Sequence, residues 1–77
     1  MSYRENLWLC EERRIDGAVR NAKRAVGGVE IEASLFHHDM TVGCVLRASS
    51  GKQLTMRIEA ENLDGEMLAG IARKVAQ

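Results

Sequence analysis

The sequence predicts an α+β fold in the order α-β-β-β-α, a three-stranded antiparallel meander with two helices packed on one face. Three observations predict it. Apolar residues recur at helical spacing near both ends, and they alternate with polar residues through the middle. Glycines supply the punctuation between these stretches, in a chain of 77 residues that contains no proline.

The first helix is clearest from Glu12 to Val26. Ile15, Ala18, Val19, Ala22, Ala25 and Val26 fall within an arc of roughly 120° on a helical wheel. Arg13, Arg20 and Arg24 fall opposite, with Lys23 beside them. Gly27-Gly28 offers a C-terminal cap, and basic residues in the last turns suit the negative end of the helix dipole. Upstream, Ser2 and Glu5 have capping-box spacing, which starts the helix at the terminus. That extension places Glu11 in the apolar arc and Leu9 on the basic side. A short strand or a separate buried turn over Leu7-Trp8-Leu9-Cys10 is the alternative, and the helix has room for a break near Asp16-Gly17. Helix is preferred.

The central meander closes arithmetically. Val29, Ile31, Ala33 and Leu35 alternate with Glu30, Glu32 and Ser34. A loop from His37 to Met40 sets Leu35 opposite Val42, Ala33 opposite Cys44 and Ile31 opposite Leu46. A second loop from Ser49 to Gly51 sets Leu46 opposite Leu54, Cys44 opposite Met56 and Val42 opposite Ile58. Both loop lengths are common in hairpins, and Gly51 sits where a three-residue loop takes a left-handed residue. Two independent registers thus give one apolar face, which is expected to be the core. The second helix runs from about Leu63 to Ala76, capped by Asn62 or Asp64, with Met67, Leu68, Ile71, Ala72 and Val75 as its apolar stripe.

Residues 1–77 suffice for one small domain. Its stability is expected to be marginal unless it dimerises. Eleven basic and eleven acidic residues cancel, which argues against a polycation that coats nucleic acid. With no apolar run of about 18 residues and no signal-peptide pattern, the expected location is cytoplasmic. Cys10 and Cys44 are then expected to be reduced thiols.

The charge is nevertheless polarised. Arg13 to Arg24 holds five basic residues and one acid, while Glu59 to Glu66 holds four acids and no base. The stripe Arg13, Arg20, Lys23 and Arg24 is read as a solvated helix face able to pair with the acidic segment, or as a surface for phosphates or an acidic partner. The outer sheet face is more unusual. It carries Phe36, Gly43, Val45, Thr55 and Arg57, with Glu30 opposite Arg47 as an expected cross-strand ion pair. Glycine in a central strand marks close approach of another group, a bulge, or relief of crowding beside Phe36. His37 and His38 occupy the first hairpin tip, a place for partner contact. No zinc spacing, phosphate loop or nucleophile signature is present, so no metal, cofactor or catalysis is expected. Trp8, Met56 and Met67 are expected in the core.

The order α-β-β-β-α resembles that of double-stranded-RNA-binding domains, as topology over nearly the whole chain. In that family, lysines at the start of the last helix grip phosphates. Here the position reads Asn62-Leu63-Asp64-Gly65-Glu66, which is acidic. The family's first hairpin loop carries a histidine in a Gly-Pro context, and His37-His38 fills that loop without it. Lys52 to Ile58 followed by a helix is a weaker likeness to ribbon-helix-helix repressors, but the second helix of that motif is missing.

The expected function is that of a small non-catalytic binding protein, an adaptor or a stoichiometric inhibitor of the kind mobile elements carry. Its partner is expected to be another protein, with nucleic-acid binding through the arginine-rich helix face as the alternative. No membrane partner is expected. A homodimer stays open, since the edge strand Lys52 to Glu59 can pair with its twin, although Lys52, Arg57 and Glu59 argue against this.

Overall fold

The computed structural model describes residues 3–77, with side chains from Leu9 onward. The expected Ser2 cap, the Glu5 side chain and the core placement of Trp8 lie outside the described residues. The elements are α1 (Tyr3–Ala25), β1 (Val29–Phe36), β2 (Thr41–Ala48), β3 (Gln53–Glu59), a 3-10 turn (Ala60–Asn62) and α2 (Gly65–Ala76). The segment over residues 7–10 is therefore helix, and α1 continues through Asp16-Gly17 without interruption.

The sheet order is β1-β2-β3, antiparallel throughout. Both predicted registers hold. Leu35 faces Val42 and Ile31 faces Leu46, while Leu46 faces Leu54 and Val42 faces Ile58. Gly51 has φ +96°, as a three-residue loop requires. The Ala48 N–H donates to the Lys52 carbonyl at 2.8 Å and closes that loop. Gly28, at φ +80°, reverses the chain after α1.

The core gathers Ile15, Ala18, Ala22 and Val26 from α1, Val29 and Ile31 from β1, Val42, Cys44, Leu46 and Ala48 from β2, and Leu68, Ala69, Ala72 and Val75 from α2. Small residues let the helices approach closely. A Cβ on Gly65 would lie 3.4 Å from the Ala18 carbonyl oxygen. The buried face of α2 is rotated from the predicted stripe: Ala69 is buried, while Met67 and Ile71 are half-buried. Ala25, expected in the apolar arc, is exposed at the end of α1. α2 begins at Gly65 rather than Leu63, because Asp64 is the cap and accepts from the Met67 N–H at 2.7 Å. Leu63 precedes the helix and is fully buried.

One part of the expected core is not covered. α1 packs along β1, and α2 packs over β2 and β1. Leu54 on β3, with the parity of the core face, is 40% exposed. Met56 and Ile58 are half-buried. Two helices span the width of two strands, so the third strand is left at their margin.

Candidate functional site

The outer sheet face bears no helix, and its side chains are positioned by the register. Ser34 pairs with Gly43, Phe36 with Thr41, and Gly43 with Arg57. Ser34 and Arg57 therefore flank the bare backbone of Gly43, with Phe36 on the diagonal. The Phe36 ring lies over the glycine, since a Cβ there would stand 2.9 Å from the ring's Cε2. The Arg57 guanidinium carbon lies 4.4 Å from the ring centroid, a cation–π stack. Of the readings open for Gly43, this geometry is relief of crowding beside Phe36.

The first hairpin tip holds the other end of Arg57. Its Nη2 donates to Asp39 Oδ2 at 2.9 Å, and its Nε donates to Thr41 Oγ1 at 2.9 Å. The Thr41 hydroxyl donates to Asp39 Oδ1 at 2.8 Å, and the Thr41 N–H donates there at 3.2 Å. Met40, at φ +54°, takes the left-handed step that lets Thr41 fold back toward Asp39. Thr41 holds the Asp39 carboxyl below its ordinary pKa chiefly through its hydroxyl, assisted by its N–H and by the charges of His38 and Arg57. His38 Nε2 stands 3.6 Å from Asp39 Oδ2. His37 is exposed at the same tip.

Phe36, Gly43, Arg57 and the tip thus form one unit with Asp39 and Thr41, two residues that sequence reasoning did not single out. Val45 is half-buried beside it, and Thr55, its partner on β3, is exposed. The Glu30–Arg47 ion pair does not form as expected. The two residues are in register, but Arg47 Nε donates to Gln53 Oε1 at 3.1 Å on the opposite neighbour.

Arg13, Arg20, Lys23 and Arg24 are all exposed on α1. Among the described residues, no ion pair joins them to the acidic segment. The ion pairs there are Arg14–Glu11, His38–Asp39 and Arg57–Asp39. Arg14, outside the stripe, is the basic residue that reaches that segment. Its guanidinium donates to the backbone carbonyls of Ala60 and Leu63 and holds Glu11 bidentately at 2.9 and 3.0 Å. That hydrogen bonding keeps the Glu11 carboxyl below its ordinary pKa, which explains a carboxylate at the edge of an apolar arc.

Cys44 is buried, as its strand parity predicts, and burial pushes its thiol pKa up, whereas Cys10 is exposed. Among the described residues, no three His, Cys, Asp or Glu side chains gather as metal ligands would. Nor is any described helix long and apolar enough to cross a membrane. Comparison with protein-family models, curated proteins and solved structures finds no match for this chain.

Proposed function

We propose that this chain is a small non-catalytic binding protein that docks another protein on the outer face of its sheet. The observation that carries the reading is an open face whose mixed-character centre is held by its own contacts. Phe36 is 38% exposed there, yet its ring is fixed between Gly43 and Arg57, and Arg57 is fixed in turn by Asp39 and Thr41. Aromatic and arginine side chains ordered before binding lose little entropy on docking, which is what interface anchors require. Glu30 and Glu32 on the same face favour a protein over a phosphate backbone. An adaptor or a stoichiometric inhibitor working in the cytoplasm fits this design. The test is affinity capture from the source cell with three baits: the native chain, Val45→Arg and Arg20→Ala. Val45→Arg places a long cation on the open face without disturbing the Phe36 stack. A protein held in stoichiometric amount by the native and Arg20→Ala baits, and lost with Val45→Arg, supports the reading. Loss with Arg20→Ala alone contradicts it.

A second reading has its own observation. Arg13, Arg20, Lys23 and Arg24 are exposed on one helix, outside the ion pairs formed by the described residues, and this arrangement suits phosphates. If they grip a nucleic acid, Arg20→Ala reduces the salt slope of binding by about 1 for any sequence.

A further inference from the structure

We infer that β3 is the seam of a symmetric homodimer, in which two copies pair their β3 edges antiparallel and bury a shared apolar shelf. The shelf is the part of the inner face that the helices leave open. It comprises Leu54, 40% exposed, with half-buried Met56 and Ile58 on β3. Met67 and Ile71 add to it from the flank of α2 opposite Gly65, which faces α1.

The backbone of this edge is available. Lys52 and Ala60 both hydrogen-bond back, to Ala48 and Met40 respectively. Alternation along an antiparallel ladder therefore directs the N–H and C=O groups of Gln53, Thr55, Arg57 and Glu59 to the open side. Charged side chains commonly guard such an edge. Here two of the three are drawn elsewhere. Arg57 turns inward across the sheet onto Phe36 and Asp39, and Lys52 Nζ donates to the Gln77 carbonyl at 3.3 Å.

Charge and face matching select the occupant and the register. With Met56 opposite Met56 of the second copy, Leu54 meets Ile58, Thr55 meets Arg57 and Gln53 meets Glu59. Every inner pair within Gln53–Glu59 is then apolar, and no like charges stand directly opposed. Of the adjacent registers that keep the faces matched, one sets Arg57 against Arg57, and the other leaves Ile58 opposite Lys52 instead of Leu54. The other edge lacks this fit. Glu30 and Glu32 are exposed on β1, and Glu12 and Asp16 of α1 border a groove beside its Ala33, Ser34 and Leu35, so twin β1 edges repel. A second copy also meets a physical need. Domains this small use disulfides, a metal or association to supplement the core. Both cysteines are free, and no metal cluster exists among the described residues.

The experiment is sedimentation equilibrium from low micromolar to near-millimolar protein, with amide hydrogen exchange at the upper concentration. The mass is expected to rise from 8.6 kDa toward twice that value, with slow exchange at the Thr55 and Arg57 amides. Thr55→Pro removes only an edge donor, and Leu54→Lys charges an already exposed position. Each should stay at 8.6 kDa with unchanged circular dichroism. A native chain that remains monomeric with fast exchange at both amides overturns the inference. So does a dimer that survives both substitutions, or open-ended growth.

Discussion

Replacing Arg14 by methionine keeps the aliphatic stem and removes the guanidinium that joins α1 to the turn before α2. The Ala60 carbonyl still receives the Leu63 N–H at 3.2 Å, so its loss is partial. The Leu63 carbonyl loses its charged donor. A hydrogen bond from a charged group contributes about 1.5–3 kcal/mol. The Arg14 side chain is 38% exposed, so water partly replaces it and the lower end applies. The exposed pair with Glu11 adds about 0.5 kcal/mol. The total is about 2 kcal/mol, a large share of the roughly 4–12 kcal/mol expected for a domain of this length. In a domain of this size that is a fall of roughly 8–16 °C in Tm. Thermal unfolding by circular dichroism, at fixed protein concentration, measures it against Arg13→Met as control. Arg13 is exposed and has no such bonds among the described residues, so its replacement should stay within about 0.5 kcal/mol. Equal Tm values for the two variants would refute the bridging role of Arg14.

Gly43→Ala forces the Phe36 ring aside and loses the stack on Arg57, about 0.5–1 kcal/mol, while it removes a strand glycine whose cost is of similar size. Stability should therefore barely change, and the ring-current shifts on the Arg57 side-chain protons should disappear by NMR. In carboxyl-detected NMR titration, Asp39 should titrate below the ordinary aspartate value, and Thr41→Val should raise it. Because the folded pKa is the lowered one, the Asp39 contribution to stability is complete above the unfolded value. It is lost as pH falls through the folded value. Titration of the native protein with a thiol reagent should modify Cys10 promptly and Cys44 only at the rate of opening or unfolding. Prompt reaction at both would contradict the burial of Cys44.

The register was legible because alternation and loop length constrain it independently: a one-residue slip would have turned Cys44 and Leu46 outward. Gly43 and Phe36 were legible as neighbours for the same reason. Asp39 and Thr41 were not, since their bonds to Arg57 depend on the left-handed turn at Met40, and methionine carries no turn signal. Arg14 escaped notice because its acceptors are carbonyls 46 and 49 residues away. The exposure of Leu54 was equally hidden. Strand parity specifies a face, whereas coverage of that face depends on where two helices of given width come to rest. Met67 and Ala69 lie on opposite flanks of the α2 stripe, and which flank is buried depends on how the helix settles against α1, where Gly65 meets Ala18.

The most direct measurement of the docking claim is an amide-shift map of the labelled chain. It would be titrated in parallel with the captured protein and with duplex RNA and DNA at low and moderate salt. Docking on the sheet face predicts shifts with the protein at Phe36, Gly43, Val45, Thr55, Arg57 and the His37-His38 tip, and none with the duplexes at moderate salt. Shifts confined to Arg13 through Arg24, produced by the duplexes and fading as salt rises, would contradict it.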